Sequence, residues 1–160
     1  HNSIWSALGA GAAMTPAEWN SGGTWGRMTP EMIADLQRLQ VFVSEIPLAE
    51  WNPSQLEITS SDPQVRGWGI AGNDGGLFWV QDISKEGKPV SDVRDYQTIK
   101  SGVILELTGL PPGKYGIMPY DTWQGGFLGG FSIQCSEVQT CIVSLPDFKH
   151  DMAFKIFREE

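Results

Sequence analysis

Seven of the 160 residues are tryptophan, and the side chains with most chemistry to offer gather around a few of them. Tyr120-Asp121-Thr122-Trp123-Gln124-Gly125-Gly126 places two rings, a carboxylate and an amide in one turn-forming stretch. An exposed indole or phenol stacks on the apolar face of a pyranose, and Asp121 and Gln124 could hydrogen-bond its hydroxyls. Trp19 and Trp25 supply two further rings, with Glu18 beside the first. The same aromatic turn could instead fill a seam against a neighbouring domain. Both readings of Trp123 stay open, whereas Trp68 and Trp79 lie inside predicted strands and read as core.

Catalytic groups are scarcer. Breaking a glycosidic bond takes two carboxyl groups flanking it, and Glu18 has no evident partner, so no catalytic residue is assigned. Cys135 and Cys141 flank Ser-Glu-Val-Gln-Thr, which can form a hairpin turn between two alternating runs. A disulfide across that hairpin is geometrically reasonable and would indicate an oxidising, extracellular setting; two reduced core thiols are the alternative. His1 and His150 are the only histidines. Copper monooxygenases acting on polysaccharides use an N-terminal amine and imidazole plus a second histidine, a composition this pair could meet if His1 were a true N-terminus. A capping or structural role is the plainer reading. With two histidines and one cysteine pair a metal site is not expected, nor is any other cofactor.

Net charge is −8, from 11 Lys+Arg against 19 Asp+Glu. That balance argues against nucleic acid and anionic membranes as partners and is compatible with a neutral polysaccharide. No apolar run is long enough to span a membrane. The sequence opens on His1 without initiator methionine or secretory signal, which reads as the start of a mature or excised chain.

The elements that must position these residues fall into three parts. Ile4 to Ala13 is small and apolar, a helix capped by Asn2 or Ser3, with Gly9 and Gly11 admitting a neighbouring backbone. Apolar nearly all round, it would leave a patch prone to self-association if exposed. A second helix is announced by Thr29 as N-cap, Pro30 at the first position and Glu31 toward the dipole. Its stripe is Met32, Ile33, Leu36, Leu39, Phe42, Val43 and Ile46, ended by Pro47 and expected to pack on its own sheet or barrel. From Trp51 onward the chain reads as β. Gly72-Asn73-Asp74-Gly75-Gly76 is a hairpin turn between Arg66–Ala71 and Leu77–Val80. Further strands are expected at 56–59, 103–107, 114–120, 131–134, 142–145 and 153–157, with an extended loop from Lys85 to Lys100. The expected fold is mainly β: an antiparallel β-sandwich of about eight strands preceded by one or two helices.

His1-Asn2, Ile4-Trp5, Leu8, Gly11-Ala12-Ala13, Thr15-Pro16 and Glu18-Trp19 follow the pattern H-N-x-I-W-x-x-L-x-x-G-A-A-x-T-P with an acidic residue and Trp after it. This resembles the last helix and strand of retaining glycoside hydrolases with a (β/α)8 barrel, of the cellulase and mannanase kind. The likeness implies a final barrel strand at Met14 to Trp19, a loop at Asn20 to Arg27, and catalytic carboxylates on earlier strands outside this chain. Phe42-Val43, Ile46-Pro47, Trp51 and Gly113-Lys114-Tyr115 followed by the Tyr120–Gly126 hairpin resemble the C-terminal module of many secreted barrel hydrolases, labelled as carbohydrate- or collagen-binding. Here Tyr120 precedes Asp121 and Trp123 follows it, a departure from the usual order. The resemblance implies residues 1–50 as a barrel remnant and 51–160 as an accessory domain. It implies a non-catalytic, secreted module that stabilises an upstream catalytic barrel and contacts carbohydrate; a stand-alone carbohydrate-binding module is the alternative.

Overall fold

The computed structural model describes residues 1–12, 29–85, 98–136 and 140–159. Three helices come first: α1 (Asn2–Gly9), α2 (Pro30–Val43) and the single turn α3 (Leu48–Trp51). Nine strands follow: β1 (Ser54–Ser60), β2 (Val65–Ala71), β3 (Gly75–Asp82), β4 (Ile104–Thr108), β5 (Gly113–Asp121), β6 (Gly126–Phe127), β7 (Phe131–Cys135), β8 (Thr140–Ser144) and β9 (Asp151–Arg158).

The strands run in the order β5-β7-β8-β4-β1-β2-β3-β9, and β9 then pairs back onto β5. The result is a closed eight-stranded antiparallel barrel with the short β6 outside it, not the expected sandwich. The difference lies in β9, which pairs with β3 from Gly75↔Phe157 to Gln81↔Asp151 and with β5 from Tyr115↔Arg158 to Tyr120↔Ala153. Nine residues long, β5 pairs with β7 over residues 113–117 and, on its other side, with β9 over residues 115–120. Sharing one long, twisted strand in this way closes the sheet and removes its edges. Apolar alternation along a strand is the same in both architectures, so it could not distinguish them.

Inward-facing residues fill the barrel. Phe78 and Phe154 stack across the β3–β9 seam with ring centroids 4.4 Å apart, among Leu105, Leu107, Ile117 and Val143. Cys135 and Cys141 sit opposite each other on β7 and β8 and form a disulfide within this core.

A second core lies outside the barrel wall, between the helices and the outer face of β2, β3, β9 and β5. It contains Trp5, Phe42, Leu77, Trp79, Tyr120 and Ala153, with Leu39, Val43 and Ile46 packed against it. Trp5 and Phe42 are completely buried, and each such side chain contributes roughly 1.5–3 kcal/mol. The α2 signals behave as read. Thr29 Oγ1 accepts the Met32 N–H at 3.2 Å, Pro30 opens the helix and Glu31 sits in its first turn. The stripe is narrower than expected, because Ile33 is 43% exposed, and the helix ends at Val43, before Pro47.

The first helix differs more. It starts at Asn2 with His1 as its N-cap residue, so Asn2 and Ser3 are within the helix rather than capping it, and it ends at Gly9. The His1 side chain makes no cap hydrogen bond; it is drawn away to two carboxylates. Trp5 points into the second core and Ile4 and Leu8 are partly covered. Of the bulky apolar residues of this helix only Trp5 is fully buried, and Ala10 and Ala12 just past its end are exposed. The expected strand at 14–19 and its loop, and residues 86–97 of the expected long loop, lie outside the described residues. No described helix is long and apolar enough to cross a membrane.

Candidate functional site

Asp151 is the first residue of β9 and points outward, beside Trp79 on the neighbouring β3. Above it lies the turn that leaves β5. Asp121 builds that turn: its Oδ1 accepts the N–H groups of Trp123 at 2.9 Å and Gln124 at 2.8 Å, while its carbonyl accepts the Gly125 N–H at 2.9 Å. An aspartate that bonds the backbone two or three residues on is a standard way to fix such a turn. It aims the side chains of Thr122 and Trp123 at Asp151.

Four donors converge on this one buried carboxylate. Its Oδ1 accepts from Trp79 Nε1 at 2.9 Å, from His1 Nε2 at 3.1 Å and from the Thr122 hydroxyl; its Oδ2 accepts from Trp123 Nε1 at 2.7 Å. His1 Nδ1 reaches Asp35 Oδ1 on α2 at 3.0 Å, and Arg38 Nη1 reaches the same oxygen at 2.9 Å. Both ring nitrogens of His1 thus face carboxylates, which only accept, so the ring must carry both protons. Arg38, Asp35, His1 and Asp151 form a chain of alternating charge that balances.

The electrostatics agree with the geometry. Burial pushes the His1 imidazole down, but hydrogen bonds and charge from Asp151 and Asp35 outweigh it and hold the group above its ordinary 6.5. Burial pushes Asp151 up, but hydrogen bonds from His1, Thr122 and Trp79, with the charge on His1, hold it below the usual carboxylate range. A carboxylate bonded by several donors is stabilised in its charged form.

A groove of about 490 Å³ opens beside this cluster, within the roughly 300–1,000 Å³ span of small-ligand sites. Trp123, Asp121 and Gln124 line it, with Leu128, Ile99 and His150. Gln124 is exposed, and Leu128 and Ile99 are 43% and 53% exposed, so the rim mixes an amide with apolar surface. His1 stacks on the Trp123 ring at 4.3 Å between centroids, and the His150 ring lies tilted at 5.0 Å. Burial lowers the His150 imidazole; the charge on Asp151 opposes that and the charge on His1 reinforces it.

The residues singled out from sequence separate here. Trp123, Asp121 and Gln124 come together in the groove. Tyr120 does not: it is 1% exposed, packs on Trp5, Phe42 and Phe127, and donates its hydroxyl to the Arg38 carbonyl at 3.0 Å. Its ring has no face for a sugar. Trp19, Trp25 and Glu18 lie outside the described residues. The two His1 ring nitrogens, which the copper reading would use, are each engaged by a carboxylate, Asp35 and Asp151. Asp151, Asp35 and Thr122 were not anticipated. A lone Asp before an apolar strand reads as solvent-facing, and its partners lie 28 to 150 residues away.

No protein-family model and no curated protein sequence matches this chain.

Proposed function

We propose that this chain is a non-catalytic accessory module of a secreted glycoside hydrolase, in which a helical segment is fastened to a β-barrel by a buried polar latch. The observation that carries this reading is the mutual saturation of His1, Asp35 and Asp151. Each group able to move a proton is already bonded to another, and Asp151 has both oxygens occupied. Such a cluster orders a junction between the helical segment and the barrel. The disulfide between Cys135 and Cys141 supports an oxidising, extracellular setting, and the resemblance of residues 1–50 to the end of a catalytic barrel supplies the parent enzyme. The test is an assay of the purified chain on aryl glycosides and on polysaccharides, the latter also with copper and a reductant. No turnover is expected; turnover abolished by Asp151→Asn would overturn the reading.

A second reading, that the module holds a neutral glycan, is favoured by the groove itself. Gln124 and Asp121 offer polar contacts, and Leu128 and Ile99 offer apolar surface to a pyranose. Because His1 takes one face of Trp123, a sugar would meet the rest of the ring. Affinity electrophoresis and tryptophan fluorescence over a panel of neutral polysaccharides test this, with Gln124→Ala beside the wild type. Retardation weakened in the variant is expected. Absence of binding to every glycan would remove this reading and leave the structural one.

A further inference from the structure

The ring that faces the groove is the same ring that completes the latch. Trp123 touches the groove on one side, stacks on His1 at 4.3 Å, and donates its indole N–H to Asp151 at 2.7 Å. His1 in turn is buried between α2, through Asp35, and β9, through Asp151. Nothing else described on the helical segment bonds Asp151. We propose that His1 is a positioning residue for the groove: it holds the Trp123 indole against Asp151, so that capture of a neutral glycan requires the helical segment to be seated on the barrel. This rests on the glycan reading of the groove.

The mechanism follows from the charges. With His1 doubly protonated, Asp151 stays ionised, and an ionised carboxylate accepts the indole N–H in a short, charge-assisted bond. Loss of His1 leaves Asp151 buried with three neutral donors, Trp79, Thr122 and Trp123. The stacking surface on the far side of the indole goes at the same moment, and the ring gains freedom to leave its place in the groove wall. The titratable and charged groups facing His1 are Asp35 and, beyond it, Arg38 from α2, Asp151 from β9, and His150 from the turn before β9, whose own charged neighbours include Lys149.

A reading free of any ligand comes from the indole N–H resonance of Trp123, assigned by NMR in the full chain labelled with nitrogen-15 and followed across pH. It should show two steps. One lies below histidine's ordinary value and belongs to His150; the other lies above it and belongs to His1. In His1→Gln the upper step should vanish, and in His150→Gln the lower one. Affinity for the retarding polysaccharide should fall about tenfold in His1→Gln, the scale of one lost buried hydrogen bond. Asp35→Asn, which removes only the outer carboxylate, should weaken binding less and keep a displaced upper step. An indole resonance that ignores His1, or His1→Gln binding within about twofold of wild type, overturns the proposal. If the wild type binds no glycan while the resonance still follows His1, the positioning of Trp123 stands and the glycan reading falls.

Discussion

Gly9 lies so close to Trp68 that a Cβ placed on it would fall 2.7 Å from the Trp68 carbonyl oxygen and 2.9 Å from the Trp68 Cβ. The contact is with backbone, which cannot swing aside as a side chain would. It sets how deeply α1 sits on β2, and therefore where His1 lies, one helix length away. Gly9→Ala should lift the helix and cost roughly 1–3 kcal/mol, read from the denaturant midpoint. Gly126→Ala, where a Cβ meets nothing within 4 Å, is the control and should change stability by no more than about 0.5 kcal/mol. Equal effects at the two positions would remove the argument.

Asp151→Ala should be the most damaging polar substitution in the described chain. It strands His1, Trp79, Thr122 and Trp123 as buried donors and leaves the His1 charge with Asp35 alone. Breaking one side of a buried pair costs about 3–5 kcal/mol. Thermal unfolding should show the loss, and a double-mutant cycle with His1→Gln should show strong non-additivity. Additive effects would mean that the two groups do not act as one unit.

Stability should depend on pH in a way that separates the two histidines. His1 is held above its ordinary 6.5, so its contribution is complete below 6.5 and is lost as the pH rises through its folded value. His150 is held below 6.5, so its contribution is present above 6.5 and is lost as the pH falls through its folded value. Asp151 is held below 3.8; its contribution is present above 3.8 and disappears as the pH falls through its lower folded value. Melting temperatures from about pH 5 to about pH 9 should fall on the alkaline side more in wild type than in His1→Gln. Parallel curves there would show that His1 gains no proton affinity on folding.

The disulfide encloses a short loop, since Cys135 and Cys141 are six residues apart. Chain-entropy reasoning gives a bridge of that size about 2 kcal/mol. Replacing both cysteines by alanine should therefore lower the melting temperature by a few degrees without changing the fold. Because both are almost fully buried, dithiothreitol should reduce them slowly in the native protein and quickly in denaturant. Rapid reduction of the native state would contradict the packing.

Many local signals in the sequence were dependable, although His1 and not Asn2 or Ser3 precedes α1 as its cap residue. Thr29 and Pro30 marked α2, Gly72–Gly76 marked the β2–β3 turn, and the alternating runs marked each barrel strand to within a few residues. The cysteine spacing placed a hairpin, and the β7–β8 pairing carries the disulfide. What could not be read was decided over long separations. Barrel closure depends on which strand β9 pairs with beyond β3, and its inward residues, Met152, Phe154 and Ile156, would suit a sandwich equally well. Tyr120 and Trp123 looked alike as aromatic turn residues, yet Tyr120 is in the last part of β5 under the helices, and Trp123 is past the turn at the groove. The latch was hidden because a carboxylate, a histidine and three other donors carry no joint pattern until the fold assembles them.

The position of β9 in the chain has a consequence for how the molecule is made. It is the last of the nine strands in sequence, yet it forms two of the eight seams of the barrel. Until residues 151–158 have left the ribosome, β3 and β5 present raw edges and the wall between them is missing. The first residue of that strand is also the anchor for His1, made 150 residues earlier. Closure of the barrel and seating of the helices therefore arrive together, only once β9 has emerged, across very long loops. Such a topology folds slowly and exposes unpaired edges while it waits. Assembly of the barrel waits for β9, and the form that precedes its arrival is the state most in need of protection from other copies of itself.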